Sequence, residues 1–234
     1  MGYIKQKKMK RLVLVLLMLF CGCLTWAQQS DVRSLGAFSG VKAGEAIDVY
    51  LKKGGKESVR VEVTGTDPAN VLTEISGGYL RIHMRDGRYR NRSVKVYVTY
   101  VSLNKIHASS AANIFSEGTI KADNLNVSAS SAASIEISID AGSVVAEASS
   151  AGDVLLEGRA KTLEVDASSA GEVDAYALDT EIVRASVSSA GSAKVSASKE
   201  LIARASSGGS IRYRGSPAKI NTDSSSGGSV KKAN

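Results

Sequence analysis

Four carboxylates stand at fixed offsets from a recurring Ser-Ser pair: Glu147 and Asp166 two residues before it, Asp153 and Glu172 four residues after its first serine. If successive copies of that pair stack, Glu147 falls beside Asp166 and Asp153 beside Glu172, with Glu164 and Asp174 close by. Like charges one strand apart repel unless something screens them. A hard cation such as Ca²⁺ would screen them, because it favours carboxylate oxygens. Paired carboxylates are also the acid–base equipment of glycoside cleavage. The plainest reading is a solvated acidic face. Two features tell against catalysis: no aromatic residue accompanies the carboxylates as a sugar platform, and no irregular insertion interrupts the repeats to wall a cleft.

A second cluster is basic. Residues 85–92 carry Arg85, Arg88, Arg90 and Arg92 with Tyr89 between them. Guanidinium groups in that density could grip an anionic polysaccharide or a lipid head group, or simply solvate a loop. The recurring serines are a third candidate, but a serine nucleophile needs a base. His107 is the one histidine near them, and near-identical serines in every copy point to a repeated structural job. There is no phosphate-binding glycine loop, no nucleophile elbow and no dinucleotide fingerprint, so no catalytic residue, resident metal or cofactor is expected.

These groups must be placed by the rest of the 234-residue chain, which is 43% hydrophobic and 23% charged with only 2 Pro. Its first 27 residues read as an address. Lys5, Lys7, Lys8, Lys10 and Arg11 precede an apolar run from Leu12 to Phe20, and Thr25-Trp-Ala27 supplies small residues for cleavage. That is the three-part pattern of a secretory signal peptide, and its run is too short for a comfortable membrane span. Gly22-Cys23 offers a rival processing site that would leave a lipid on Cys23. The formal charge of +7 falls to +2 once the five basic residues of the segment are removed. Export and near-balanced charge argue against nucleic acid as a partner. Both cysteines, Cys21 and Cys23, leave with the segment, so disulfides, thiolate zinc sites and cysteine nucleophiles are excluded from the mature chain. Only His83 and His107 remain, too few for a metal site built of several imidazoles. Residues 28–37 read as a linker.

From residue 103 onward the chain repeats. Ser-Ser pairs begin at Ser109, Ser130, Ser149, Ser168, Ser188, Ser206 and Ser225, at intervals of 18 to 21 residues, followed by Ala-Ala, Ala-Gly or Gly-Gly. A fixed period near twenty predicts a solenoid. Apolar residues alternate with polar ones on both sides of the pair, as in Leu163-Glu-Val-Asp-Ala167 and Val173-Asp-Ala175, so the units are half-buried strands. Aligned on the pair, Leu125, Val144, Leu163, Val183, Leu201 and Ile220 form one apolar column. Ile106, Val127, Ala146, Val165, Ala185 and Ala203 form a second, and Ile114, Ile135, Val154, Val173, Ala193, Ile211 and Val230 a third. A leucine-rich repeat would need more apolar positions and a different return. The predicted fold is all-β: a single-stranded right-handed parallel β-helix, one repeat per coil, about seven coils over 103–234. The Ser-Ser-Ala-Gly stretch would be the corner, with Gly152, Gly171, Gly191, Gly209 and Gly228 supplying backbone freedom and the serines bonding to one another or to turn amides. The later coils turn basic at Arg184, Lys194, Arg204, Arg212 and Arg214, which would polarise the solenoid along its axis.

Residues 38–102 lack the marker but alternate in the same way. Residues 47–51 and 59–63 flank a Lys-Lys-Gly-Gly-Lys turn, and 80–84 and 94–98 flank the basic loop, as in hairpins. They are expected to form a strand-rich cap merging into the coils.

Phe38-Ser-Gly-Val-Lys-Ala-Gly44, Ile47-Asp-Val-Tyr-Leu51, Gly78-Tyr-Leu-Arg-Ile82, Val94-Lys-Val-Tyr-Val98 and Leu103-Asn-Lys-Ile106 follow one another and lead into the Ser-Ala-Gly coils. In that order they resemble the head GIN domain family, labelled auto-transporter adhesins and frequent in Bacteroidetes-type bacteria, over roughly residues 35–230. The chain departs at Val101-Ser102, where the family pattern has a Pro. The resemblance implies a β-helical, non-enzymatic envelope protein and transfers no binding residue. The expected function is a binding surface in the periplasm, at the outer membrane or on the cell surface, for polysaccharide or a surface protein, with self-association possible through the ends. The alternatives are a polysaccharide-active enzyme using the acidic residues, or a purely structural envelope component.

Overall fold

The computed structural model describes residues 29–233. The segment expected to be a signal peptide, with Cys21 and Cys23, lies outside the described residues. The described residues are 67% strand and 1% helix and form a β-solenoid of about seven turns. Short strands β1 (Gln29–Ser34), β2 (Gly40–Ala43), β3 (Asp48–Lys53), β4 (Ser58–Thr64), β5 (Val71–Ser76), β6 (Tyr79–Met84), β7 (Ser93–Tyr100) and β8 (Lys105–Ala108) come first. Four long bent strands follow, β9 (Asn113–Ser130), β10 (Ser134–Ser149), β11 (Asp153–Ala167) and β12 (Glu172–Val187). The chain closes with β13 (Ser192–Ser196), β14 (Glu200–Ala205), β15 (Ser210–Arg214), β16 (Lys219–Ser224) and β17 (Ser229–Lys232).

Each coil carries one strand segment before its Ser-Ser corner and one after it, and both pair in parallel with the coils above and below. The predicted columns are present rung for rung. Leu125, Val144, Leu163, Val183, Leu201 and Ile220 are successive register partners. So are Ile114, Ile135, Val154, Val173, Ala193, Ile211 and Val230. Neighbouring rungs therefore stand about 4.8 Å apart. Ile, Leu, Val and Ala fill the interior, and Thr180 is its sole buried polar residue among those described. Val and Ile suit this position because branching at Cβ packs well on a pleated surface.

The corners are type I′ turns, and the backbone freedom is not exercised where the sequence suggests. The left-handed residues are not Gly152, Gly171, Gly191, Gly209 and Gly228 but the pair before each: Ser150 and Ala151 (φ 50° and 58°), Ser169 and Ala170 (49° and 60°), Ser189 and Ala190 (50° and 59°), and in the last two corners Ser207 with Gly208 and Ser226 with Gly227. Gly152, Gly171 and Gly191 serve close approach instead. A Cβ on Gly152 or Gly171 would stand 2.4 or 2.3 Å from the carbonyl oxygen of Ala129 or Ala148 in the preceding coil. The turn bond is 2.8 Å from Gly152 N–H to the Ser149 carbonyl and widens to 3.1 and 3.2 Å at Ala112 and Ala133, which carry a Cβ at the equivalent place. Among the described residues, no serine hydroxyl bonds one corner to the next. Backbone bonds do, such as Ala151 N–H to the Ser169 carbonyl at 3.1 Å. L-residues in left-handed backbone cost about 1–2 kcal/mol each, and this axial bonding offsets it.

An unmarked corner precedes the seven. Glu45 and Ala46 have φ of 61° and 55°, and Ala46 N–H bonds to the Ser110 carbonyl at 2.9 Å. It joins β2 to β3, which pair in parallel with β8 and β9. Beyond that coil lie β6, parallel to β2, and β7, parallel to β3. Neither expected hairpin forms. β4 pairs antiparallel with β7, which separates it from β3, while β6 and β7 sit on opposite sides of one coil. The hairpin present is β5–β6. Residues 29–34, read as linker, are the strand β1 lying antiparallel on β4. Antiparallel β1 and β5 thus finish the edge that parallel coils would leave open.

Candidate functional site

The register places the four carboxylates on rungs. Glu147 and Asp166 are partners before the corner, and Asp153 and Glu172 are partners after it. The stacking is as expected, but the corner divides the four into two separate pairs. Among the described residues, no group of three or more His, Cys, Asp or Glu could hold a metal ion.

Asp153 carries the chemistry of its pair. Burial first, and then Glu172 and Asp174, push its carboxyl above the ordinary 3.8, against a smaller opposing effect of Lys194. A raised carboxyl is what a general acid requires. Its neighbour is occupied, however: the Lys194 ammonium donates to Glu172 Oε1 at 2.7 Å and to Asp174 Oδ2 at 3.0 Å. Those two bonds hold the ammonium pKa well above its ordinary 10.5. Lys194 is the rung partner of Asp174 and does on the protein what a bound cation would do.

The pH window of this cluster follows. Because the folded lysine pKa is raised, its stabilisation is complete below 10.5 and is lost only as pH rises through the higher folded value. At the acid end, the cost of holding Asp153 ionised is relieved as pH falls through its raised value. Lys194→Met is therefore expected to cost about 1 kcal/mol at pH 7, discounted for its partial exposure. Urea unfolding at pH 7 in low and high salt checks this: the difference from wild type should shrink as salt screens the pair, and a salt-independent difference would refute the ion-pair account.

The basic residues Arg85, Arg88, Arg90 and Arg92 sit in the loop joining β6 to β7, which replaces the tight corner in the outermost coil. They line a concavity of about 440 Å³ with Glu45 and Tyr89. Glu45 clamps the loop to the next corner: its Oε2 accepts the Met84 N–H at 2.9 Å, and its carbonyl accepts Arg92 Nη2 at 2.6 Å. The Arg92 guanidinium lies 5.4 Å from the Tyr89 ring centre. The later basic residues divide by corner, Arg184 and Arg204 before it and Lys194, Arg212 and Arg214 after it.

Two features were not read from the sequence. Tyr97, Tyr50 and Phe115 occupy one rung row and stack at 5.1 and 5.4 Å between centres, with Arg60 4.0 Å over Tyr97. Stacked in this way, Tyr50 is covered on both faces by its neighbours, and Tyr97 by Tyr50 and Arg60. The second is a groove of about 700 Å³ whose lining includes Lys42, Tyr79, Arg81, Lys105, His107 and Glu147. Burial first, then the Lys42 charge, hold the His107 imidazole below its ordinary 6.5, so it is neutral at pH 7.

Fold and surface together define a parallel β-solenoid whose long outer rungs are presented to solvent, in which the carboxylates best placed for chemistry are already neutralised by a lysine. The chain belongs to the family described as "Putative auto-transporter adhesin, head GIN domain", which matches residues 37–217. Solved structures that share the fold include a "putative adhesin" from Bacteroides fragilis NCTC 9343, with 20% identity, TM-score 0.79, and 88% of this chain and 97% of that one covered. Another is a "putative adhesin" from Parabacteroides merdae ATCC 43184, with 18% identity, TM-score 0.67, and 90% and 98% covered. A third, from Parabacteroides distasonis ATCC 8503, is described as a "Putative lipid binding protein", with 16% identity, TM-score 0.68, and 90% and 98% covered. Identities this low carry likeness of fold alone. No curated protein matches the chain. Among the described residues, no helix is long and apolar enough to cross a membrane.

Proposed function

We propose that the protein is an exported, non-enzymatic binding protein of the cell envelope, holding glycan or protein partners on the outer rungs of its solenoid. The observation that carries this reading is the Lys194 bridge. It ties up Glu172 and Asp174 beside Asp153, so one carboxylate of the Asp153–Glu172 pair, which a glycosidase would need free, is already engaged. The adhesin description of the family points the same way, and the basic run before the apolar segment at residues 12–20 supports export.

A glycan array and an affinity pull-down with the purified protein test it, alongside polysaccharide-turnover assays. Capture of a glycan or a surface protein without turnover is expected. Turnover that disappears in Asp153→Asn and Glu172→Gln variants would replace this reading with the enzymatic one.

A further inference from the structure

The groove on the strands before the corner has three properties that belong together. First, Gly40 lies between Tyr79 and Lys105 in the register of β6, β2 and β8. A Cβ on Gly40 would stand 2.6 and 2.8 Å from Cδ1 and Cε1 of Tyr79, so the tyrosine ring covers the place where a side chain would rise. Glycine here creates a low step on which an aromatic ring rests, and Lys105 Nζ lies 5.5 Å from the centre of that ring. Second, Arg81, Lys42 and His107 are consecutive rungs of the adjoining row, about 4.8 Å apart. Third, these cations are unneutralised. Among the described residues, Lys42, Arg81 and Lys105 enter no ion pair. Glu74, the rung partner of Arg81, has its carboxylate 3.8 Å from His83 Nε2 instead. Glu147 is the carboxylate of the groove, two rungs beyond His107.

Three fixed cations crowded along one sheet face repel one another, and a ligand bearing negative charge relieves that repulsion. An aromatic ring laid beside them offers an apolar surface for the C–H face of a sugar ring. Asn126 and Ser128, on the next rungs, add neutral hydrogen-bonding groups of the kind that hold sugar hydroxyls. The groove volume lies within the range of small-ligand sites.

We infer that the groove formed by Tyr79, Lys42, Arg81 and Lys105 binds an anionic sugar chain, stacking one ring on Tyr79 and holding its carboxylate or phosphate among the three cations. This rests on the binding-protein reading above and narrows it to a place and a ligand chemistry. Glu147 at the far end repels a second acidic group, which favours a chain whose charged and neutral units alternate.

Calorimetric titration of the intact protein with polygalacturonate oligosaccharides tests the carboxylate source, and with a phosphomannan the phosphate source. A neutral galactan and phosphatidylglycerol vesicles complete the set. Wild type should bind at least one of the two anionic chains and neither of the other two probes. The double variant Lys42→Met, Lys105→Met should weaken binding about tenfold or more and flatten its salt dependence. Tyr79→Leu, which keeps an apolar cover over Gly40, should weaken it about threefold or more. Unchanged thermal unfolding will show that these variants fold. Arg85→Gln with Arg88→Gln, in the separate loop, should leave affinity within about twofold. Equal losses from the loop and groove variants, binding of vesicles alone, or equal binding of the neutral galactan would each overturn the groove assignment. A protein that takes partners in the array but neither anionic chain refutes the groove and leaves the broader reading standing. One that takes no partner at all refutes both.

Discussion

Truncating Leu163 to alanine is expected to lower the unfolding free energy by about 3 kcal/mol, while the same truncation at Ile220 costs under about 1 kcal/mol. Both residues belong to one column and are equivalent in the repeat. Leu163 is 1% exposed, with Val144 on the rung below and Val183 on the rung above. Its loss leaves a cavity walled by backbone that is bonded on both sides and cannot collapse. Ile220 stands on β16 in the last coil and is 51% exposed, so most of what would be removed already faces water. Urea unfolding of the two variants measures the contrast. Equal losses would mean that the column does not run through a common interior.

The second large effect is expected at Gly158. Its φ is 108°, and a Cβ there would stand 2.2 Å from the carbonyl oxygen of Ile139, its rung partner in the preceding coil. Alanine meets both a backbone conformation that L-residues avoid and an atom that cannot move without breaking the ladder. Gly118 separates the two penalties. Its φ is 99°, but nothing lies within 4 Å of the added carbon. Gly158→Ala should cost about 3–4 kcal/mol and Gly118→Ala about 1–2 kcal/mol. Thermal unfolding of the pair resolves the difference, and equal costs would show that the neighbouring coil yields.

The contrast between these glycines marks how far the sequence could be read. The columns through Leu163 and Val173 were legible because burial repeats at a fixed offset and each coil is its own control. The stacking of Asp153 on Glu172 was legible for the same reason. The reason for the marker glycines was not. A tight corner suggests backbone freedom at glycine, whereas the freedom is exercised by Ser150 and Ala151, and Gly152 is small because another coil's carbonyl presses on it. That pressure comes from 23 residues upstream, at Ala129, and a single copy of the repeat gives no sign of it.

The N-terminal strands show a different limit. Alternation at 47–51 and 59–63 identifies strands correctly but is blind to partners, and β7 enters between them from some thirty residues downstream. The Tyr79 groove depends on that same unreadable pairing, since Gly40, Tyr79 and Lys105 meet only once β2 lies between β6 and β8. Lys194 was visible as part of a basic trend but not as the neutralising partner of Glu172, because its reach across to the adjoining row is a side-chain choice.

The strained serine–alanine corners have a consequence for how the chain acquires its shape. A lone coil would bear the cost of two left-handed residues with no axial bonds to offset it, so isolated coils are unstable and the first stable species must contain several. The N-terminal end has the mixed parallel and antiparallel strand network to serve as that nucleus, at the entropic expense of bringing β2 to β8 across the segment that holds β3 to β7. Every later coil then finds its template about twenty residues behind it, a contact distance short enough for rapid, stepwise growth in the direction of synthesis.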